Sequence, residues 1–248
     1  MTRGFTLVEL ALILVIIALM IGAVLVGRDM VHWSTLRRAA GQLHEVTTAI
    51  GAFRLKYGGL PGDIAGAGTL WAGAVEGNGN GIIEGHLGCA PCDELEAYNA
   101  WHHLYLAGMV AKPFAAVSTD PPPDPDYSLE GALAGSFLNL VHDAPLTQLA
   151  STGHYLTLSM VAAPVTAPGF LGLIITNEPA GIPTGIYPEH ARQIDAKLDD
   201  GQPLSGRIVS ALPAMGSDEL SCVELSGANA YNVLAEEWTC GLWSAVGQ

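Results

Sequence analysis

Four groups of side chains stand at spacings that could do chemistry. Cys89 and Cys92 form a Cys-x-x-Cys. That spacing serves a redox-active thiol pair, half of a zinc site or a small structural disulfide. His86 offers zinc a third ligand, but the sequence shows no fourth. A thioredoxin-like motif opens a helix inside a βαβ unit, and no such unit is legible here. Cys222 and Cys240 bring the cysteines to four, which allows three connectivities. The second group is Glu76, Asn78, Asn80 and Glu84, where oxygen-bearing side chains alternate with glycines before an apolar pair. It resembles the front half of a calcium loop. An EF-hand would need an acid at position 87, where Leu87 stands, so this is not an EF-hand. The alternative is an Asn-Gly turn between strands. Asp195, Asp199 and Asp200 form the third group; they suit calcium or a solvated helix end. His102 and His103 are adjacent, so on a helix they point to different sides. One core and one surface histidine is the expectation. No Gly-x-Ser-x-Gly, phosphate loop, His-Glu-x-x-His or dinucleotide fingerprint occurs, so no catalytic residue is assigned.

These groups need elements to hold them. From Phe5 to Gly27 the only ionisable side chain is Glu9. Those 23 residues, as a helix, span roughly 34 Å against a hydrocarbon core of about 30 Å. The run is long enough to cross a bilayer, and it exceeds the h-region of a removable signal peptide. It reads as a retained anchor. Arg3 on one side and Arg28, Arg37 and Arg38 on the other leave its orientation open. Past Arg28 the pattern turns one-sided. Leu36, Leu43, Ile50 and Tyr57 recur every seven residues, with Val46 and Phe53 between, while Arg37, Arg38, Gln42, Glu45 and Arg54 fall largely off the stripe. A continuous helix from about Phe5 to about Lys56 follows, all-round apolar first and amphipathic second. Glu9 is costly in such a span, on the order of 2–4 kcal/mol near the midplane and less toward the ends. It either reaches the interface or meets a cation from another chain.

The rest of the chain reads differently. Tyr57-Gly-Gly-Leu-Pro-Gly-Asp63 stops the helix. A helix is predicted over 93–109, a stiff Pro-rich loop over 120–126, and strands over 154–161 and 169–176. A short helix follows over 188–198, then a turn and strand over 203–209. The fold class is α+β: a long N-terminal helix packed on an antiparallel sheet with loop insertions. Residues 57–248 carry four basic and 21 acidic side chains, against six and three before them. A body that acidic repels phosphate backbones, which argues against nucleic acid as a partner.

Gly4-Phe5-Thr6-Leu7-Val8-Glu9-Leu10, after a short basic leader and before an uninterrupted apolar run, resembles the N-terminal signature of type IV pilins and type II secretion pseudopilins. The resemblance covers about the first 57 residues. It implies a leader (1–4), a transmembrane and assembly helix (5–57) and a pilin-like head (58–248). A membrane prepilin peptidase would cut between Gly4 and Phe5 and methylate the new Phe5 amine. Glu9 would pair with the Phe5 amine of a neighbouring subunit. Such a pair at about 4 Å is worth roughly 4 kcal/mol at an effective dielectric near 20, before desolvation. Tyr57–Asp63, and the run from Ile194 to Pro203, resemble segments of larger pilin-like proteins. Many pilins kink the span with a proline, and this chain has none before Pro61. The resemblance further implies an exported head, which favours disulfides at Cys89–Cys92 and Cys222–Cys240; the second resembles the C-terminal disulfide loop of many pilins.

The implied function is structural. The chain would be a subunit of a type IV pilus-like or type II secretion pseudopilus filament. It would sit as a single-pass protein in the inner membrane, its head outside the cytoplasm. Its partners would be copies of itself or other pilins, the prepilin peptidase, an inner-membrane assembly platform and the membrane. No cofactor is required, and calcium is the one candidate. Two alternatives stay open: a minor, tip-located pilin that binds a surface or partner, and a membrane-anchored thiol oxidoreductase using Cys89 and Cys92.

Overall fold

The computed structural model describes residues 7–84, 95–118, 128–133, 136–143, 153–159, 186–211, 222–224, 229–234 and 240–246. Helix α1 runs unbroken from Leu7 to Tyr57. It ends where the Gly58 N–H bonds the Arg54 carbonyl (2.9 Å), so the glycine-and-proline stop is where the sequence places it. Three more helices follow: α2 (Ala67–Leu70), α3 (Glu96–Leu106) and α4 (Pro188–Leu198). α4 has the predicted bounds, with Pro188 at its first turn, where a missing N–H costs no bond. α3 is shorter than the predicted 93–109, because 107–109 is a turn and 93–94 lie outside the described residues.

The strands are β1 (Leu129–Glu130), β2 (Phe137–Asp143), β3 (Gly153–Ser159), β4 (Ile208–Ala211) and β5 (Gly241–Val246). They form one antiparallel sheet in the order β1-β2-β3-β5-β4. Phe137 pairs with Ser159, His154 with Val246, and Ile208 with Ser244. β3 matches the strand predicted over 154–161, and β4 begins at Ile208, at the end of the turn and strand predicted over 203–209. β1, β2 and β5 were not predicted. The predicted strand over 169–176 and the Pro-rich loop over 120–126 lie outside the described residues.

One core joins helix and sheet. Leu36, Ala39, Ala40, Leu43, Val46, Ile50 and Phe53 are the buried residues of α1. That is the seven-residue stripe up to Ile50 with its intervening steps, plus two alanines; Tyr57, the last member of the stripe, is partly buried against the same core. They pack with Leu138, Leu140, Ile208 and Leu242 of the sheet, Trp101 and Leu104 of α3, and Ala191 and Ile194 of α4. Each fully buried Leu, Ile or Phe in such a layer contributes about 1.5–3 kcal/mol. Phe53 and Tyr57 meet Trp71 at 6.0 and 4.8 Å between ring centres, which closes the far end of α1.

The edges of the sheet are blunted from within. The Gln42 side-chain amide donates to the Glu130 carbonyl (2.7 Å) and accepts from the Ala132 N–H (2.7 Å). It satisfies the outer edge at β1 as a further strand would, which leaves less open edge for foreign chains. On the opposite edge the Ser210 N–H bonds the Pro203 carbonyl (2.7 Å).

Candidate functional site

Among the described residues, a long run of exposed apolar side chains lies on α1. Every residue from Leu7 to Ser34 is exposed, and most are large apolar side chains; Leu7 is 87% exposed and Leu19 69%. The segment is long and apolar enough to cross a membrane. Glu9 stands within its first turn. Gly4 and Phe5, the residues of the expected processing site, lie outside the described residues. Apolar surface on this scale marks a place where lipid or another protein covers the chain.

A second site gathers around the Asn-Gly loop. Two buried carboxylates from outside the loop hold it. Asp63 accepts the Asn80 N–H (3.0 Å) and the Gly81 N–H (2.9 Å). Glu96 accepts the Asn78 N–H (2.8 Å) and the Glu84 N–H (3.0 Å). Asp63 and Glu96 are 3% and 2% exposed. Burial raises the Glu96 carboxyl above its ordinary value, the two backbone N–H groups pull it back, and Asp63 and Glu84 push it up again. The Asn78 and Asn80 amides both donate to Glu84 (2.5 and 3.1 Å), while their oxygens accept loop N–H groups. Glu76 is exposed. Of the four expected calcium ligands, then, three bond one another and close the loop on themselves. Glycine is required here for space: a Cβ at Gly62 would strike the Glu96 carbonyl, and one at Gly77 the backbone of Gly62 and Asp63. A cleft of about 350 Å³ opens alongside, lined by Arg54, Tyr57, Asp63 and Gly79 among others.

The two histidines of α3 correct the sequence reading, because both are buried rather than one. His103 Nδ1 accepts the Gly62 N–H (2.9 Å), so the proton sits on Nε2, which donates to the Val75 carbonyl (2.8 Å). His102 holds the opposite tautomer, its Nδ1 donating to the Phe114 carbonyl (2.5 Å). Burial lowers the His103 pKa, the Val75 bond opposes that, and His102 adds to it. The pair fastens α3 to two loops.

A third cluster sits at the end of α4. Asp195, Asp199 and Asp200 place one carboxylate oxygen each within 4.8 Å of the others. Asp195 is fully buried, which corrects the solvated helix end expected from the sequence. It accepts the Tyr231 hydroxyl (2.7 Å) and the Gly201 N–H (3.3 Å). Tyr231 in turn accepts from Ser210 (3.0 Å). Burial pushes the Asp195 carboxyl up to about 6 and the Tyr231 hydroxyl well above its ordinary range. Asp199 accepts the N–H groups of Arg207 and Ile208. Asp200 accepts the Gln202 N–H and the Ser205 hydroxyl (both 2.8 Å). The three acids therefore fold the 199–208 turn onto β4.

Cys222 and Cys240 form a disulfide, the pairing expected for them. Cys240 also bridges to Ile186, which ties the start of α4 to the start of β5. Cys89 and Cys92 lie outside the described residues. Sequence reasoning missed Asp63, Glu96 and Gln42 as organising residues. Asp63 had a signal, since it ends the Leu-Pro-Gly-Asp stop; Gln42 had a weaker one, as an uncharged polar residue among charged ones beside the stripe.

No protein-family model matches the chain, and no curated protein or solved structure matches it.

Proposed function

We propose that the chain is a structural subunit of a type IV pilus-like or type II secretion pseudopilus filament, with a pilin-like fold. The observation that carries this reading is the division of α1. Its Leu7–Ser34 segment is exposed on all sides, while the next turns are buried on one stripe in the head. A helix so divided can anchor a subunit in a bilayer and then, once extracted, bundle with like helices around an axis. The Gly4-Phe5 and Glu9 signature supports the same reading. In it, cleavage after Gly4 frees the Phe5 amine, and Glu9 of one subunit meets that amine on the next. The pair offsets the cost of a carboxylate among apolar side chains and fixes axial register. Partners are copies of this chain or other pilins, the prepilin peptidase and an inner-membrane assembly platform; the head lies outside the cytoplasm. The proposal assigns no catalytic residue and requires no cofactor.

The test is the intact and N-terminal peptide mass of the native protein, with and without an active prepilin peptidase. A chain starting at methylated Phe5 supports the proposal. A chain still starting at Met1 beside an active peptidase sinks it. A Glu9→Leu variant is expected to reach the membrane in normal amount and to be at least tenfold depleted from purified filaments.

A further inference from the structure

Where α1 leaves its exposed apolar segment it meets α4 through two histidines. The rings of His32 and His190 stand 4.5 Å apart, centre to centre, tilted by 51°. Their contacts are with rings: His32 touches His190, and His190 also packs edge-on against Tyr187 at 5.2 Å. Neither imidazole has a hydrogen-bond partner among the described residues. His32 is exposed and His190 half-buried. Two imidazoles from different helices, in contact, with their ring nitrogens unengaged, contrast with His102 and His103, whose rings are tied to carbonyls.

We propose that His32 and His190 form a two-imidazole site for a divalent transition metal of the zinc, nickel(II) or copper(II) class, which clamps α1 to α4. Imidazole nitrogen is a preferred ligand for these metals. Metal–nitrogen bonds run at about 2.0–2.1 Å, so ring centres 4.5 Å apart lie within reach of one ion through a nitrogen of each ring. The spacing is held from below by packed core residues, Leu36 and Ala40 of α1 with Ala191 and Ile194 of α4, and not by surface loops. The two imidazoles are the protein ligands of the site, and water fills the remaining positions. Glu189 is not a ligand, because Arg192 (2.7 and 2.9 Å) and Gln193 (2.5 Å) already occupy its carboxylate. Arg28 stands one turn away on α1. The site is independent of the filament proposal: it needs only that α1 and α4 pack as described.

The experiment uses untagged full-length protein in detergent micelles, titrated with Ni²⁺ by calorimetry and with Cu²⁺ by electron paramagnetic resonance. One equivalent of metal is expected to bind, with two equatorial nitrogens in the Cu²⁺ spectrum. His32→Ala and His190→Ala are each expected to weaken Ni²⁺ binding at least tenfold, and His44→Ala to leave it unchanged. Ni²⁺ is expected to raise the thermal midpoint of the parent protein and of neither His32 nor His190 variant. Should a variant fail to fold, the nitrogen count on the parent decides alone. A spectrum with one nitrogen or none, or equal affinity in the parent and both alanine variants, overturns the proposal.

Discussion

Between Leu7 and Ser34 every side chain of α1 is exposed; from Leu36 to Phe53 the same helix buries a side chain at every third or fourth step. The backbone is continuous through both, so local conformation does not separate them. Periodicity does. The first stretch is apolar on all sides, and no single protein face could satisfy it. The second is apolar on one stripe, and one sheet with two helices satisfies it fully. The same hydrophobic effect thus leaves one half of a helix facing outward, to be covered by lipid or protein, and sends the other half inward to its own head.

The sharpest way to break this contrast is to remove one large apolar side chain from the embedded half. Phe53→Ala is expected to destabilise the head by about 3–5 kcal/mol in urea unfolding of the full chain in detergent. A cost under about 1 kcal/mol would mean that the stripe does not hold the head. Next comes the covalent tie behind the embedded half. Cys240→Ser opens the Cys222–Cys240 loop and is expected to lower stability by about 3 kcal/mol, with the loss reproduced by reduction of the parent protein. An unchanged urea midpoint after reduction would contradict it.

A smaller effect should follow pH, through the anchor of α4. Asp195 titrates near 6 in the folded head against an ordinary 3.8. Between those values the folded state holds a proton that the unfolded state has lost, so stability falls as pH rises through that window and levels off above it. Asp195→Asn keeps an acceptor for Tyr231 and is expected to flatten the slope between pH of about 4 and 6 relative to the parent. Parallel curves for the two proteins would rule out Asp195 as its source. Smaller still is the clamp of α1 on the sheet edge: Gln42→Ala removes two hydrogen bonds and is expected to cost about 1–2 kcal/mol. The exposed half sets the floor. Ile17→Ala is expected to change head stability by less than about 0.5 kcal/mol; a loss like that of Phe53→Ala would erase the contrast.

What the sequence made legible follows the range of the interactions. The α1 stripe, the bounds of α4 and the glycine stop after Tyr57 rest on periodicity and on local chain chemistry. They were readable because each is encoded within a few turns. β2 and β5 were not. Leu138 and Leu140 of β2 pack under α1, and β5 pairs with β3 across a long separation, so nothing near either strand announces its partner. The buried His103 was missed for a similar reason. Its two partners, Gly62 and Val75, come from separate loops that only the fold brings to one ring. At the Asn-Gly loop the sequence singled out Glu76, Asn78, Asn80 and Glu84, whereas the acids that hold the loop stand outside it, at Asp63 and Glu96.

The sheet order carries a consequence for the time course of folding. β5 lies between β3 and β4, although both precede it in the chain. As the chain emerges from its N-terminus, β4 has no strand to pair with until β5 arrives. α1, which comes out first, has no finished surface to lie on before then. The stripe from Leu36 to Phe53 therefore stays only partly covered, by α3, α4 and the earlier strands, until residues 241–246 insert between β3 and β4. Such late, long-range closure makes for slow folding. It leaves a partly assembled head with a half-covered helix stripe and an open strand edge, the state in which a nascent chain is most prone to aggregate.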